Sequence, residues 1–316
     1  MSDISSPEAK NNMASQTKPL FSVWLEAFRL RTLPLALSSV ITGSLVAIAD
    51  GKFNWIIVLL AMLTTVFLQI LSNLANDYGD SAKGTDSHER VGPERTVQSG
   101  AISAKQMKIA IVLFAVLSLI AGMDLLYVAL RDHLLILLLF FGIGIAAIAA
   151  AIQYTVGKHA YGYHGMGDLF VFIFFGPVAV LGTYYLNAQS LNMGLLLPAF
   201  ALGFLSVGVL NLNNMRDMDN DRVSGKNTFA GSLDYPMARI YHVLLISFAF
   251  LFAISYVAIH SHSLWNFLFL LTAPLFFIDI LRIFRTPNKA HLDDFLKRLA
   301  LSTLAFSVLF GIGLLL

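Results

Sequence analysis

Long apolar segments alternate with short polar ones along almost the whole chain. Nine of the apolar runs are long enough to cross a hydrocarbon core of about 30 Å as an α-helix. Because a backbone in lipid must satisfy its own hydrogen bonds, each run predicts one transmembrane helix. The pattern therefore predicts an all-α, polytopic membrane bundle of nine helices. The predicted spans lie near residues 33–50, 54–76, 106–130, 133–153, 168–187, 192–215, 240–260, 264–285 and 298–316.

Basic residues are unequally divided between the two sides of this predicted bundle. With the N-terminus on the cytoplasmic side, 19 of the 21 Lys and Arg residues fall in cytoplasmic segments, and only Lys52 and Arg131 fall outside. Cytoplasmic loops of membrane proteins carry such an excess. We therefore predict a cytoplasmic N-terminus in a bacterial cytoplasmic (inner) membrane. The site is expected on the cytoplasmic face, where a long connection joins the second and third spans.

Composition supports this class and excludes others. Hydrophobic residues make up 57% of the chain and charged residues 13%, against roughly 25% charged in a soluble domain. A net charge of +2 does not indicate nucleic acid as a partner. The absence of cysteine excludes disulfides, thiolate metal sites and cysteine nucleophiles. The polar residues 1–20 lack the features of a secretory signal. They are predicted to be a disordered cytoplasmic tail, followed by one membrane domain over residues 21–316.

Two short clusters of amide and acid side chains recur 140 residues apart, each at the end of a predicted span. In both, an asparagine is followed four residues later by an aspartate, so on a helix the side chains project from one face. We expect the two helix ends to face one cavity, as in membrane proteins built from two similar halves. The clusters are Asn73, Asp77 and Asp80 in the first case, and Asn213, Asp217 and Asp221 in the second.

The acids of these clusters are candidate metal ligands. Carboxylates crowded at a membrane-proximal helix end repel one another and are costly to desolvate unless a cation neutralises them. Mg²⁺ prefers a few carboxylate oxygens and takes its remaining ligands from water and substrate phosphates. The pattern therefore predicts a magnesium–diphosphate site, and a solvated loop start is the alternative for either cluster alone. The predicted ligands are Asp77, Asp80, Asp217 and Asp221.

Basic residues in the same loops are candidates for binding phosphate groups. Arginine forks suit phosphate oxygens, and lysine supplies a point charge. The alternative for each residue singly is a charge that only sets the topology. Arg216 and Arg222 are the strongest candidates because they flank the second acid cluster. The full set is Lys83, Arg90, Arg95, Arg216, Arg222 and Lys226, with Lys158 after the fourth span.

Together with the nine spans, the two acid clusters and Tyr154-x-x-x-Lys158 between them resemble the UbiA-type intramembrane aromatic prenyltransferases. The resemblance covers nearly the whole chain after the tail. Asp80 follows Asp77 by three residues, where other branches often space this pair by four, which adds Asp86 as a candidate ligand. Further segments are similar to the menaquinone branch, the 1,4-dihydroxy-2-naphthoate polyprenyltransferases: Arg31-Thr-Leu-Pro34, Asn76 to Asp86, Gly92-Pro93-x-Arg95 to Gly100, and Phe174-Phe-Gly176 to Tyr185.

This resemblance implies Mg²⁺-dependent transfer of a polyprenyl group from polyprenyl diphosphate to 1,4-dihydroxy-2-naphthoate, with loss of diphosphate and CO₂, to give demethylmenaquinone. Membrane lipid is the third expected partner. The alternatives are phytyl transfer for phylloquinone, 4-hydroxybenzoate as acceptor, or a cation-coupled secondary transporter. The implied catalytic residues are Asp77, Asp80, Asp217, Asp221, Tyr154 and Lys158, and the implied substrate-binding residues are Asn73, Asn213, Lys83, Arg95, Arg216, Arg222 and Lys226.

Two acids inside predicted spans are not assigned to this site. Asp124 lies near the outer end of the third span, where a hydrogen bond within the bundle or a carboxylate reaching the interface explains it. Asp279 is followed by Arg282 nearly one turn later, so a local ion pair is a sufficient explanation.

Overall fold

A computed structural model describes residues 19–85, 95–260 and 263–316 of the chain, and helices form almost all of them. The predicted tail over residues 1–20 lies largely outside the described residues, since these begin at 19. The helices are α1 (Leu20–Phe28), α2 (Leu33–Ala49), α3 (Trp55–Ala82), α4 (Ala104–Leu130), α5 (Leu134–Gln153), α6 (Gly167–Ile173), α7 (Ala179–Ala188), α8 (Leu196–Val223), α9 (Phe229–Ser232), α10 (Tyr235–His260), α11 (Ala273–Phe284) and α12 (Asp293–Leu315).

Within the described ranges, nine helical segments are long and apolar enough to cross a membrane. The prediction of an all-α bundle with nine spans is thus confirmed for this part of the chain. Three of the segments are interrupted helices: α1 with α2, α6 with α7, and α11 with the 3₁₀-helix Leu264–Thr272 that precedes it. The cytoplasmic location of the N-terminus stays a prediction.

Helices α3 and α8 are longer than their apolar runs. The runs end near residues 76 and 215, whereas α3 continues to Ala82 and α8 continues to Val223. Polar side chains in these extensions, including Asp80 and Asp217, are buried against other segments. Hydropathy cannot detect such an extension, because the residues are polar although they are not solvated. Both acid clusters therefore lie inside helices.

Two helix interruptions shape the interior. Arg29 has a left-handed backbone (φ 48°), which ends α1 before a 3₁₀ turn, Leu30–Thr32, leads into α2. Between α6 and α7, Phe174–Val178 forms a π-helical turn around Pro177, which has no N–H to donate. Such a turn frees carbonyl groups, and the Ser39 hydroxyl of α2 donates to the carbonyl of Phe175. The irregular backbone is thereby satisfied within the apolar interior.

Small residues let the helices of the second half approach closely. A Cβ on Gly176, in the π-helical turn, would lie 2.6 Å from the carbonyl oxygen of Ala199 in α8. One large buried cluster joins α2, α7, α8, α10 and α12, and a second joins α1, α3 and α4. By contrast, α5 contacts α3 and α4 and has a single buried residue, Ala150. The cavity described below lies between these groups of helices.

The two unassigned acids have different surroundings. Asp124 is exposed on the surface of α4, which fits a carboxylate reaching the interface rather than a bond inside the bundle. The local pair predicted for Asp279 is wrong, because α12 packs beside α11 and brings in a closer partner. Arg298 lies with Nη2 2.6 Å from the Asp279 carboxylate.

Candidate active site

A cavity of about 830 Å³ lies between the helices and has one polar end. Side chains of α3 and α8 contribute to this end, together with residues that follow each of these helices. Apolar side chains of α2, α4, α5 and α7 line the remainder. The polar end comprises Arg29, Arg31, Asn73, Asn76, Asp80, Arg95, Tyr154, Asn213, Lys226 and Lys297.

The rotation of α3 determines which polar side chains reach the cavity. Asn73, Asn76 and Asp80 line it at spacings of three and four residues, as one face of a helix does. Asp77 lies beside this face and does not line the cavity. Asn76 was missing from the predicted site residues, although its four-residue spacing from Asp80 was a usable signal once α3 is extended to Ala82.

Asp80 is the acidic centre of the polar end. One carboxylate oxygen accepts a hydrogen bond from Arg95 Nη2 at 3.1 Å, and the other accepts from the Tyr163 hydroxyl at 2.8 Å. Asp80 and Arg95 are both buried, so their charge-assisted bond is shielded from water. Lys83 lies outside the cavity with Nζ 3.7 Å from the Tyr163 ring centroid. Partial burial lowers the pKa of Lys83, against the opposing effect of Asp80.

Asp77 and Asn73 hold neighbouring segments in place. Asp77 accepts hydrogen bonds from the Thr96 hydroxyl at 2.7 Å, the Thr96 N–H at 3.2 Å and the Val97 N–H at 3.4 Å. It thereby fixes the segment that carries Arg95. The Asn73 amide donates to the carbonyl of Phe28 at 2.9 Å and to the Thr32 hydroxyl at 3.0 Å. This bond pair attaches the turn before α2 to α3.

The second cluster is organised around Arg216. This side chain is buried and donates to the Asp217 carboxylate twice, from Nε at 2.8 Å and from Nη2 at 2.6 Å. It also donates to Asn213 Oδ1 at 2.9 Å and is paired with Asp293 of α12. Asp293 in turn accepts from Arg31 at 3.1 Å. Asn213 lines the cavity, whereas Asp217 does not.

Lys226 brings the two clusters together. Its Nζ lies 3.8 Å from the carboxylate of the buried Asp221 and 5.6 Å from the centroid of the Tyr163 ring, whose hydroxyl binds Asp80. Burial alone lowers the pKa of Lys226, but the negative charges of Asp80 and Asp221 outweigh it and raise that pKa. The Asn227 N–H also donates to the carbonyl of Tyr163 at 3.2 Å. Acids far apart in sequence therefore share one electrostatic environment.

The other predicted residues are placed differently. Tyr154 lines the cavity and packs edge-on against Tyr161, with ring centroids 5.3 Å apart, and burial raises its pKa. Lys158 is exposed on the loop after α5 and does not line the cavity. Arg222 donates to the carbonyls of Gly231 and Leu233 and holds that loop. Arg90 and Asp86 lie outside the described residues.

Oxygen donors at the polar end suit a hard divalent cation, but they do not form a complete cage. In the part of the chain that the structure describes, no group of three or more acids or histidines is arranged to hold a metal ion. Asp80 faces Arg95, and Asp221 faces Lys226. The donor set thus fits an ion such as Mg²⁺ that takes much of its coordination from a bound phosphate ligand.

The apolar length of the cavity opens toward the surface of the bundle. Four of its lining side chains, Leu119 and Met123 of α4 and Leu139 and Ile145 of α5, are also exposed. In a membrane these residues contact lipid, so this wall of the cavity is continuous with the hydrocarbon core. The cavity therefore suits a ligand with an anionic head and a long apolar chain.

Comparisons with known proteins bear on the identity of this site. A model of the UbiA prenyltransferase family matches residues 36–311. A Haemophilus influenzae protein named 1,4-dihydroxy-2-naphthoate octaprenyltransferase is 42% identical over 93% of this chain and 96% of its own length. The Escherichia coli protein of the same name is 41% identical, over 96% of this chain and 98% of its own.

Solved structures share the fold at lower sequence identity. The apo structure of a UbiA homolog from Aeropyrum pernix K1 has a TM-score of 0.64 at 17% identity and covers 90% of this chain and 97% of that one. A UbiA homolog from Archaeoglobus fulgidus bound to DMAPP and Mg²⁺ has a TM-score of 0.57 at 14% identity, covering 92% of this chain and 98% of that one.

Proposed function

Because this chain belongs to the UbiA prenyltransferase family, we propose that it transfers a polyprenyl group from polyprenyl diphosphate to 1,4-dihydroxy-2-naphthoate. Diphosphate and CO₂ are released, and the product has the demethylmenaquinone skeleton. The observation that carries the proposal is the single cavity with a charged end and a lipid-exposed apolar length. The names of the two relatives above support the acceptor.

The polar end can bind the diphosphate through its own side chains. Arg95 and Lys226 provide cations beside Asp80, and Asn76 and Asn213 provide amide groups on the facing helices. Bound at this end, Mg²⁺ supplies positive charge that neutralises the departing diphosphate. Asp80 and Asp221 are the proposed carboxylates for it. The direct metal role predicted for Asp77 and Asp217 stays a prediction, since neither lines the cavity.

The proposed reaction is balanced without an added proton or oxidant. The allylic C–O bond of the donor breaks and leaves its electron pair on diphosphate. The electron-rich ring carbon bearing the carboxylate forms the new C–C bond, and its bond to the carboxylate breaks. Those two electrons return to the ring as CO₂ departs. The side chains orient the two reactants and exclude water from the allylic centre, which otherwise gives the prenyl alcohol.

We propose that the protein lies in a bacterial cytoplasmic membrane with the polar end on the cytoplasmic face. The concentration of basic residues on one side supports this orientation. The chain has no cysteine, so single cysteines at exposed positions test it directly. A cysteine replacing Lys158 should react with an impermeant maleimide only in inside-out vesicles, and one replacing Arg131 only in right-side-out vesicles. The opposite result would reverse the orientation.

The activity is tested with purified protein, Mg²⁺, octaprenyl diphosphate and 1,4-dihydroxy-2-naphthoate. Pyrophosphate and CO₂ should appear in equal amounts, and EDTA should stop both until Mg²⁺ is restored. Replacing the acceptor with 4-hydroxybenzoate, or the donor with phytyl diphosphate, should greatly lower the rate. Faster turnover of either alternative by folded protein would assign the other substrate.

A further inference from the structure

Cations at the polar end of the cavity fall into two groups on different elements. Arg95 and Lys226 lie near Asp80 on the side of α3 and α8. Arg29 and Lys297 belong to the turn after α1 and to α12. Of the six charged side chains that line the cavity in the described ranges, five are basic and Asp80 alone is acidic. Such a lining attracts anionic groups, and the second basic group is not beside the acid that marks the first.

Lys297 faces the cavity and has an uncompensated charge. It lies on the face of α12 that includes Leu296 and Ala300, which also line the cavity. Asp293, one turn earlier on this face, is already paired with Arg31 and Arg216. Lys297 makes no ion pair within residues 19–85, 95–260 and 263–316. Its ammonium group is therefore available to an anion inside the cavity.

Arg29 reaches the cavity from a fixed turn. A left-handed backbone is rare for a residue with a Cβ and persists only where its surroundings impose it. Here the Thr32 hydroxyl donates to the Arg29 carbonyl at 2.9 Å, and Asn73 donates to that hydroxyl and to the carbonyl of Phe28. These bonds fix the point from which the guanidinium extends. A positioned guanidinium matches the fork geometry of a carboxylate.

We propose that Arg29 and Lys297 form a subsite for the carboxylate of the aromatic acceptor, separate from the diphosphate cations Arg95 and Lys226. The inference rests on the proposed function. Leu35 and Ala36, one turn beyond the Arg29 turn, also line the cavity and offer an apolar surface for the ring. Two separated cation groups allow both anionic reactants to be bound at once, with the acceptor held by its carboxylate until the carboxylate leaves.

The test measures acceptor binding apart from turnover. The probes are 1-hydroxy-2-naphthoate, which carries the carboxylate, and 1-naphthol, which lacks it, with affinities taken from calorimetry on the detergent-solubilised full chain. In Lys297→Gln and in Arg29→Gln, the naphthoate should bind about tenfold more weakly, as expected for a lost charged hydrogen bond. Binding of 1-naphthol and the KM for polyprenyl diphosphate should change less than twofold. Lys289→Gln is the matched control, because Lys289 pairs with Asp219 outside this cavity.

Three results would overturn the subsite. These are unchanged naphthoate binding in Lys297→Gln, an equal loss of 1-naphthol binding, or a rise in the donor KM in place of the acceptor effect, which would assign these cations to the diphosphate. Lys297 is exposed and has no ion pair in the described ranges, so Lys297→Gln is decisive even if Arg29→Gln does not fold. Failure of the proposed function is a separate result, in which wild-type protein releases no CO₂ from dihydroxynaphthoate.

Discussion

Replacing Asp77 and Asp80 by asparagine, one at a time, is expected to give very different losses of activity, although the two acids are three residues apart. Asp80 lines the cavity and faces Arg95 and Lys226, whereas Asp77 binds the segment that carries Arg95. Asparagine keeps a carbonyl oxygen of similar position and removes only the charge. The pair of variants therefore separates a carboxylate that acts in the site from one that supports it.

The magnitudes follow from the contacts. In Asp77→Asn, the amide oxygen can still accept from the Thr96 hydroxyl and N–H, now 2.7 and 3.2 Å from one carboxylate oxygen. Weakening these bonds costs about 1 kcal/mol, which limits the loss in kcat/KM to roughly tenfold. Asp80→Asn leaves buried Arg95 without its 3.1 Å ion pair. Removing one partner of a buried pair costs about 3–5 kcal/mol, and loss of a charge at the reacting groups lowers kcat by roughly 10²–10³-fold.

Initial rates of acceptor-dependent pyrophosphate release at saturating Mg²⁺ give the comparison. Size-exclusion profiles and thermal unfolding in detergent establish that both variants are folded. Similar losses of more than a hundredfold in both variants would refute the reasoning, because Asp77 would then act in the site itself. That result would instead support the direct metal role predicted for Asp77 from sequence.

Three further predictions concern residues with distinct contacts. Asn73→Leu removes two hydrogen bonds to the turn before α2, so the free energy of unfolding should fall by about 1–3 kcal/mol; a thermal midpoint equal to that of wild type would contradict this. Lys158→Gln should change kcat/KM less than about twofold, as for other exposed sites, because Lys158 lies outside the cavity; a large loss would mean that its loop moves into the site. Lys226→Gln leaves Asp80 and Asp221 without their shared cation, so Mg²⁺ alone should raise its thermal midpoint more than that of wild type, and an equal rise would contradict the shared environment.

The helices could be predicted from sequence, and the rotation of α3 could not. Hydropathy identifies spans because lipid forces each apolar run to be helical. It says nothing about where a helix ends once its polar residues are buried, as Asp80 and Asp217 are. Without the extension of α3 to Ala82, Asp77 and Asn73 appear to be the natural face, and Asn76 is overlooked.

The partners of the basic residues were equally inaccessible to sequence reasoning. Arg216 flanks the second acid cluster and was a candidate on that ground. Its contacts with Asp293, and through Asp293 with Arg31, depend on how α8, α12 and the turn before α2 pack together. Local spacing contains no information about such a chain of contacts. The same limit led to the wrong partner for Asp279, which pairs across helices with Arg298.

The exposed lining residues of α4 and α5 have a consequence for how affinity is defined. Because Leu119, Met123, Leu139 and Ile145 belong both to the cavity and to the outer surface, acyl chains and detergent tails have access to the same space as a prenyl chain. A donor therefore competes with the surrounding amphiphile, and its saturation follows its mole fraction in the bilayer or micelle. Diluting a fixed amount of donor with more detergent should raise its apparent KM, while the aqueous concentration of the donor hardly changes.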